Sequence, residues 1–115
     1  MKKLLIIDDS RTVQQVLLTE MLGLYFTSQA DSIRQAEMLH EDADVLVIDA
    51  ILPDNGRNFT HIKRYAELGK PTVCYTSLGP DDMGDIGNAT YIPKSKTGKA
   101  KLLEWLKDKA VDDGT

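Results

Sequence analysis

The stretch Val45-Leu46-Val47-Ile48-Asp49 decides the fold, because four apolar residues, three of them β-branched, run directly into a carboxylate. A short, uninterrupted apolar run of this kind is typical of a strand that is buried on both faces. Residues 3–7 repeat the pattern and are followed by Asp8 and Asp9. Such strands occur in parallel sheets with helices on both sides, so the sequence indicates an α/β domain.

Helical and strand patterns alternate along the rest of the chain. Apolar residues at helical spacing predict helices within residues 10–22, 31–39, 58–68 and 99–110. Ser10 is the predicted N-cap of the first helix, and Asp31 or Ser32 that of the second. Further strands are predicted at residues 25–29, 71–76 and 90–93. With right-handed crossovers between them, these strands form a doubly wound, five-stranded parallel sheet.

Residues 77–89 break this alternation. Three glycines and a proline lie where a fourth helix would be expected, and both residue types disfavour helix. We therefore predict a loop with no more than about one helical turn. The fourth helix of the fold is shortened or missing.

Composition limits the classes of protein that this chain can represent. With 115 residues, 42% apolar and 28% charged, it is expected to form one globular domain over residues 1–115, with residues 111–115 as a frayed tail. The apolar run after Met1-Lys2-Lys3 stops at Asp8, which argues against an export signal and favours a cytoplasmic protein. The single cysteine, Cys74, excludes an intrachain disulfide. No run is long enough to span a membrane, and a net charge of −4 does not favour nucleic-acid binding.

Polar residues follow four of the five predicted strands. Ligands bind at the carboxyl ends of the strands in an open parallel sheet, and the residues found there are Asp8, Asp9, Asp49, Thr76 and Lys94. Two carboxylates about 4 Å apart repel each other by roughly 4 kcal/mol at an effective dielectric constant of about 20. Three carboxylates therefore require either a raised pKa or a bound cation, and oxygen ligands of this kind suit Mg²⁺. In this interpretation Asp49 is a nucleophile for a phosphoryl group, whose oxygens Lys94 and Thr76 would contact.

Four segments in this order carry a resemblance to a known family. They are residues 4–10, residues 45–56, Tyr75-Thr76-Ser77 and Tyr91-Ile92-Pro93-Lys94. Over essentially its whole length the chain resembles the receiver domain of two-component response regulators, the CheY-like family. The resemblance implies a flavodoxin-like strand order, 2-1-3-4-5, and a cytoplasmic signalling phosphoprotein that is not a turnover enzyme.

The resemblance also implies a magnesium site. Asp49 would be the phosphoacceptor and Asp9 a direct ligand of Mg²⁺, whereas Asp8 would act mainly through coordinated water. The backbone carbonyl of Ile51 would complete the protein's share of the coordination shell.

A phosphoryl site and a switch are implied as well. Lys94 would bind the phosphoryl group, and Thr76 and Tyr91 would form the switch pair, in which Tyr91 turns inward as Thr76 moves. The phosphodonor would be a histidine kinase or a phosphotransfer protein, and the output a contact with an unknown downstream protein. Direct binding to nucleic acid or to a membrane is not expected.

The chain departs from the family pattern in three respects. Ser95 replaces the proline that usually follows the lysine, which leaves Lys96 as a second candidate for the phosphoryl contact. The fourth helix is degraded, and Trp105 either covers the sheet surface that this leaves open or is an ordinary residue at the edge of the core. Ile51 and Leu78 stand at the two positions that influence attack by water on the acyl phosphate, and neither can orient a water molecule.

Two alternative functions share some of these features. A pseudo-receiver would keep the fold and bind proteins without phosphate, which the missing helix and the absent Lys-Pro pair would fit. A phosphatase of the haloacid-dehalogenase type usually carries Asp-x-Asp after its first strand, which Asp8-Asp9-Ser10 does not match. The sequence is compatible with a stand-alone regulator and with one domain of a longer protein. His40 and His61 are predicted on helices far from the acidic residues and receive no chemical role.

Overall fold

The computed structural model describes residues 1–111. Its core is a central parallel sheet. The strands are β1 (Lys2–Ile7), β2 (Tyr25–Ala30), β3 (Val45–Ile48), β4 (Ile51–Leu52), β5 (Gly56–Arg57), β6 (Thr72–Thr76) and β7 (Thr90–Pro93). The main sheet has the order β2-β1-β3-β6-β7, and all of its strands are parallel. This confirms the predicted five-stranded sheet and its order. The strands β4 and β5 form a small antiparallel hairpin where the sequence predicted only a turn.

Four helices cover the sheet: α1 (Arg11–Glu20), α2 (Ile33–Leu39), α3 (Phe59–Glu67) and α4 (Lys96–Lys109). Serine side chains cap three of them, because a serine hydroxyl accepts a backbone N–H of the first turn. Ser10 accepts from Val13 at 3.3 Å, and Ser32 accepts from Gln35 at 3.1 Å. Ser95 caps α4, so this helix begins three residues before the predicted start at residue 99.

Two apolar layers hold the helices to the sheet. One contains residues of α2 and α3 on one face of the sheet, and the other contains residues of α1 and α4 on the opposite face. The central strand β3 is completely buried and contributes to both, with Leu46 and Ile48 on one side and Val45 and Val47 on the other. Its side chains alternate between two buried faces of the sheet, which explains why all four residues are apolar.

The segment 77–89 is a packed loop rather than a helix, as predicted. Its only helical part is a 3₁₀ turn at Pro80–Asp82. Its partly buried apolar residues pack on the layer of α2 and α3; they are Leu78, Met83, Ile86 and Ala89. The amine of Lys63 on α3 lies 2.8 Å from Asp85, which ties the loop to that helix.

Trp105 does not cover the surface left open by the missing helix. It lies on α4 and packs against the layer of α1 and α4, on the opposite face of the sheet. The second interpretation of this residue, an ordinary tryptophan at the edge of the core, is therefore the correct one. The loop fills the open surface with its own side chains.

Cys74 is fully buried in β6, and burial raises the pKa of its thiol to about 12. Its reactive thiolate form is therefore scarce at neutral pH.

None of the helices in residues 1–111 combines the length and apolar character needed to cross a bilayer. Most of the predicted frayed tail, residues 112–115, lies outside the described residues.

Candidate functional site

Three carboxylates meet at the carboxyl edge of the sheet. Asp8 and Asp9 follow β1, and Asp49 follows the neighbouring strand β3. Each offers an oxygen, and these oxygens all lie within 4.8 Å of one another. Asp8 and Asp49 are buried, with 1% and 7% of their surface exposed, whereas Asp9 is exposed. The structure thus brings together the three acidic residues that the sequence pattern selected.

Lys94 enters the same cluster from the end of β7. Its amine lies 2.8 Å from a carboxylate oxygen of Asp8 and 2.8 Å from one of Asp49. Its backbone N–H donates to the carbonyl of Thr76 at 2.8 Å, which holds the residue beside the end of β6. One ammonium among three carboxylates leaves the cluster with excess negative charge. Lys96, the other candidate, is exposed and begins α4.

The buried charges alter the ionisation of Asp8 and Lys94. Burial raises the pKa of Asp8, and this effect outweighs the opposing hydrogen bonds and charge of Lys94 and the Ser10 N–H. Burial alone would lower the pKa of Lys94, but its hydrogen bonds and ion pairs with Asp49 and Asp8 together raise it. Lys94 is therefore a firmly protonated ammonium, while the ionised form of Asp8 is not fully compensated.

One buried oxygen of the cluster has only the Lys94 amine beside it. Asp8 Oδ2 lies 2.8 Å from this amine, and no hydrogen bond from another donor in residues 1–111 reaches it. Burying a carboxylate is costly unless its charge is paired, and here one ammonium is shared between Asp8 and Asp49. Together with the neighbouring oxygens of Asp9 and Asp49, Asp8 Oδ2 makes an oxygen-only donor set of the kind that Mg²⁺ prefers. The residues present therefore fit a magnesium ion.

Backbone and amide groups hold the two buried carboxylates in place. The N–H of Ser10 donates to Asp8 at 2.9 Å, and the N–H of Ile51 donates to Asp49 at 3.2 Å. Both contacts are turns in which a carboxylate accepts from the residue two positions later. They position the carboxylates without removing their charge.

Asn58 and Gln14 support the site, although the sequence analysis gave them no role. The buried amide of Asn58 donates to the carbonyl of Asp49 at 3.1 Å, and its backbone N–H donates to Ala50 at 2.9 Å. The amide of Gln14 donates to the carbonyl of Asp8 at 2.5 Å. A polar residue directly before α3 was the only sequence feature that could have indicated Asn58.

Asp54 links the β4–β5 hairpin to α2. Its carboxylate accepts hydrogen bonds from the first-turn N–H groups of Ile33 and Arg34, each at 3.0 Å. These bonds lower the pKa of Asp54. The capping partner lies about 20 residues away in sequence, so a local capping pattern could not predict it.

The predicted switch residues are joined through Leu78. Thr76 is buried at the end of β6, and its hydroxyl accepts a long hydrogen bond of 3.4 Å from the N–H of Leu78. The hydroxyl of Tyr91, half-buried on β7, donates to the carbonyl of Leu78 at 2.6 Å. Within the described residues, no hydrogen bond joins the Thr76 hydroxyl to a carboxylate of the site. Both side chains therefore hold the first residues of the loop that replaces the fourth helix.

His40 and His61 lie away from the acidic cluster. Both contact Glu37 between α2 and α3, with nitrogen to oxygen distances of 3.6 Å for His40 and 3.5 Å for His61.

The Lys94–Ser95 peptide bond is trans, since residues 1–111 contain no cis bond.

Gly98 controls the approach of α4 to the site. A Cβ atom at this position would lie 1.8 Å from the carbonyl oxygen of Pro93, the residue before Lys94. Because the clashing atom belongs to the backbone, Gly98→Ala must move either the helix or the end of β7. We expect a loss of about 2–4 kcal/mol in the free energy of unfolding, measured by chemical denaturation.

Gly79→Ala is the matched control for this substitution. A Cβ atom at Gly79 would meet nothing within 4 Å, and the residue has a φ of −75°. The free energy of unfolding of this control should lie within about 0.5 kcal/mol of that of the parent protein. Equal stability of the two variants would contradict the packing described for Gly98.

Solved structures provide the comparison with known proteins. The BeF3-activated receiver domain of DrrB, a Thermotoga maritima protein, is 18% identical to this chain and superposes on it with a TM-score of 0.77. The match covers 95% of this chain and 97% of that one. For a CheY-like receiver domain protein from Methanospirillum hungatei JF-1 the shares are 96% of this chain and 94% of that one, with 20% identity and a TM-score of 0.75. A receiver domain protein from Clostridium thermocellum gives 96% and 94%, with 18% identity and a TM-score of 0.69. No protein-family model and no curated protein sequence matches the chain.

These likenesses establish the class of fold. The chain has the fold of the CheY-like receiver domains of response regulators, over about 95% of its length. The resemblance predicted from four short segments is confirmed, together with the strand order that it implied.

Proposed function

We propose that this protein is a phosphorylatable receiver of two-component signalling, which accepts a phosphoryl group on Asp49 in a magnesium-dependent reaction. The observation that carries the proposal is the position of the Lys94 amine, 2.8 Å from both Asp8 and Asp49, beside the oxygens of Asp9. A cluster that served only the fold would not need three carboxylates around one partly buried ammonium. The receiver fold of the chain supports the same reaction.

The chemistry follows from the charges of the site. A carboxylate oxygen of Asp49 attacks the phosphorus of a phosphohistidine, and the P–N bond breaks as the P–O bond forms. The donor ring, which carries a proton on its other nitrogen, leaves as neutral imidazole. Lys94 exchanges part of its ion pairing for the phosphoryl oxygens and stabilises their charge. Asp8, Asp9, Asp49 and the carbonyl of Ile51 would hold the Mg²⁺, which supplies positive charge for the transferring group. The protein is then both substrate and catalyst, and does not turn over a separate substrate.

The switch is proposed to act through Leu78. A hydrogen bond from the Thr76 hydroxyl to a phosphoryl oxygen would draw that hydroxyl toward Asp49 and away from the N–H of Leu78. The carbonyl of the same residue holds the Tyr91 hydroxyl. Movement of Leu78 would therefore release Tyr91 to turn inward and would shift the loop of residues 77–89, which we propose as part of the output surface.

The proposed partners follow from the same reaction. The donor is a histidine kinase or a phosphotransfer protein, as the family resemblance implies, and the output is a contact with another protein. The proposed reaction supports a cytoplasmic location, where ATP-dependent kinases are found.

The direct test is phosphorylation by a small-molecule phosphodonor, followed by intact mass measurement. With Mg²⁺ present the protein should gain one phosphoryl group, and with a chelator it should gain none. Treatment with hydroxylamine, which cleaves acyl phosphates, should remove the added group. No gain of mass with any donor, together with no Mg²⁺ binding by calorimetry, would favour the pseudo-receiver, for which the absent fourth helix is the specific observation.

The phosphorylated form should persist for minutes or longer. Ile51 and Leu78 are the side chains at the positions that influence attacking water, and both are apolar. An apolar side chain excludes water and cannot orient it for in-line attack. Ile51→Asn should shorten the half-life of the acyl phosphate, measured by intact mass at successive times. Leu68→Asn, at an exposed position at the end of α3, is the control and should leave the half-life unchanged. A half-life of seconds in the parent would contradict this prediction.

A further inference from the structure

The β4–β5 hairpin is joined at its base to the proposed phosphoacceptor. The N–H of Ile51, the first residue of β4, donates to Asp49 Oδ1 at 3.2 Å, while Asp49 Oδ2 pairs with the Lys94 amine at 2.8 Å. On the returning side of the hairpin, Asn58 donates its N–H to the carbonyl of Ala50 and its side-chain amide to the carbonyl of Asp49. Both ends of the hairpin are therefore fixed at the residue that carries the proposed chemistry.

The tip of the hairpin is fixed to α2. The two carboxylate oxygens of Asp54 accept separately from the N–H groups of Ile33 and Arg34, each at 3.0 Å. The helix also has a local cap, because the Ser32 hydroxyl accepts from the N–H of Gln35 at 3.1 Å. Asp54 thus takes two first-turn N–H groups that the local cap leaves without a partner. With only seven residues, α2 depends strongly on contacts at its ends.

The hairpin is stiff enough to connect its base to its tip. Leu52 pairs with Gly56, and the N–H of Asn55 donates to the carbonyl of Leu52 at 3.2 Å, which closes a tight turn. Gly56 has a φ of 60°, the left-handed conformation that follows such a turn in a three-residue hairpin loop. Leu52 is buried in the apolar layer of α2 and α3. The tip therefore moves together with the base.

We propose that Asp54 is a positioning residue for the magnesium site, so that the cap of α2 and the binding of Mg²⁺ stabilise each other through the β4–β5 hairpin. The inference rests on the proposed function, in which Asp49 and the carbonyl of Ile51 hold the ion. It adds a means by which the state of this site is transmitted to α2.

The physical basis is the conformational freedom of the hairpin. With its tip fixed on α2, Ile51 is already restricted before the ion binds, so less freedom is lost on binding. Such coupling is reciprocal in free energy: the factor by which the Asp54 cap strengthens Mg²⁺ binding equals the factor by which bound Mg²⁺ strengthens the cap. A change at Asp49 is therefore transmitted to the first turn of α2.

Isothermal titration calorimetry with Mg²⁺ alone, on unphosphorylated protein, tests the proposal. Asp54→Ala should raise the Kd for Mg²⁺ about fivefold or more. Asp54→Asn removes the same charge but keeps an acceptor oxygen, so its Kd should lie closer to that of the parent. Ser32→Ala is the matched control: it removes the local cap of the same helix and keeps both hydrogen bonds of Asp54, so the Kd should stay within about twofold.

Amide hydrogen exchange, followed by NMR, measures the same coupling from the other end. In the parent, Mg²⁺ should slow exchange of the Ile33 and Arg34 amides, because the ion holds the base of the hairpin and the cap opens less often. In Asp54→Ala, Mg²⁺ should leave exchange of these two amides unchanged.

Several results would overturn the inference and leave the proposed function intact. One is a parent that binds Mg²⁺ no more tightly than Asp54→Ala, and another is exchange at Ile33 and Arg34 that ignores Mg²⁺. Equal weakening by Asp54→Ala and Ser32→Ala would assign the effect to helix stability alone, and equal weakening by Asp54→Ala and Asp54→Asn would assign it to charge alone. A parent that binds no Mg²⁺ would overturn the proposed function as well.

Discussion

Replacing Asp49 by asparagine should abolish incorporation of a phosphoryl group. The amide has nearly the shape of the carboxylate, but its nitrogen is not a nucleophile and it carries no charge for Mg²⁺ or for Lys94. Intact mass after incubation with Mg²⁺ and a small-molecule phosphodonor should show one added phosphoryl group on the parent and none on Asp49→Asn. The difference should be complete, because the other carboxylate beside the Lys94 amine in residues 1–111, that of Asp8, is only 1% exposed and offers a phosphodonor almost no surface.

Asp9→Asn separates the nucleophile from the metal ligand. This variant keeps Asp49 and the Lys94 ion pairs but loses one exposed carboxylate of the cluster. It should still gain one phosphoryl group, at a Mg²⁺ concentration about tenfold or more above that of the parent. Addition to Asp49→Asn at the parental rate would show that the modification occurs at another residue and would refute the assignment.

Lys94→Met should destabilise the protein and slow its phosphorylation. At neutral pH the ammonium stabilises the fold, because the raised pKa of Lys94 means that the folded protein holds this proton more tightly than the unfolded chain. That contribution is present below the ordinary lysine pKa and is lost as pH rises through the folded value. Removal leaves Asp8 and Asp49 buried without their cation, which should cost about 2–4 kcal/mol in the free energy of unfolding without Mg²⁺.

Magnesium should recover part of this loss, since it supplies positive charge at the same carboxylates. The increase in stability on adding Mg²⁺ should therefore be larger for Lys94→Met than for the parent. The rate of phosphorylation should nevertheless fall about a hundredfold or more, because the phosphoryl oxygens lose their ammonium donor. Denaturation with and without Mg²⁺ and a time course by intact mass measure the two effects.

Lys63→Met is the matched control for Lys94. Its amine also lies 2.8 Å from a carboxylate, that of Asp85, but the two side chains are 42% and 70% exposed. Exposed ion pairs contribute little to stability, so this variant should behave like the parent in both measurements. If Lys94→Met were as stable as Lys63→Met without Mg²⁺, the cluster would not hold the uncompensated charge that the proposed function requires.

Several features of the fold could be predicted because they depend on local pattern. The bounds of β3 and β7 match the predicted residues. For β3 the reason is local, because a short apolar run rich in β-branched residues is typical of a strand in a covered sheet. The loop at residues 77–89 could be predicted because glycine and proline disfavour helix. The start of α4 could not, because the capping role of Ser95 depends on the chain turning directly after Lys94.

The supporting contacts of the site depend on distance in space. Asn58 contacts Asp49 only because the β4–β5 hairpin turns the chain back, and Asp54 reaches α2 by the same turn. The layer in which Trp105 packs depends on which face of the sheet α4 covers, and the apolar stripe of the helix does not specify that face.

The order of strands and carboxylates along the chain was enough to determine the parallel sheet, and to place Asp8, Asp9 and Asp49 at one edge. Parallel strands must end together, so a local pattern carries that information. Only the tertiary structure decided that Lys94 rather than Lys96 is the cation of the cluster, and that Asp54 caps α2. Both depend on distances and directions between elements that are far apart in sequence, where burial and charge act through space.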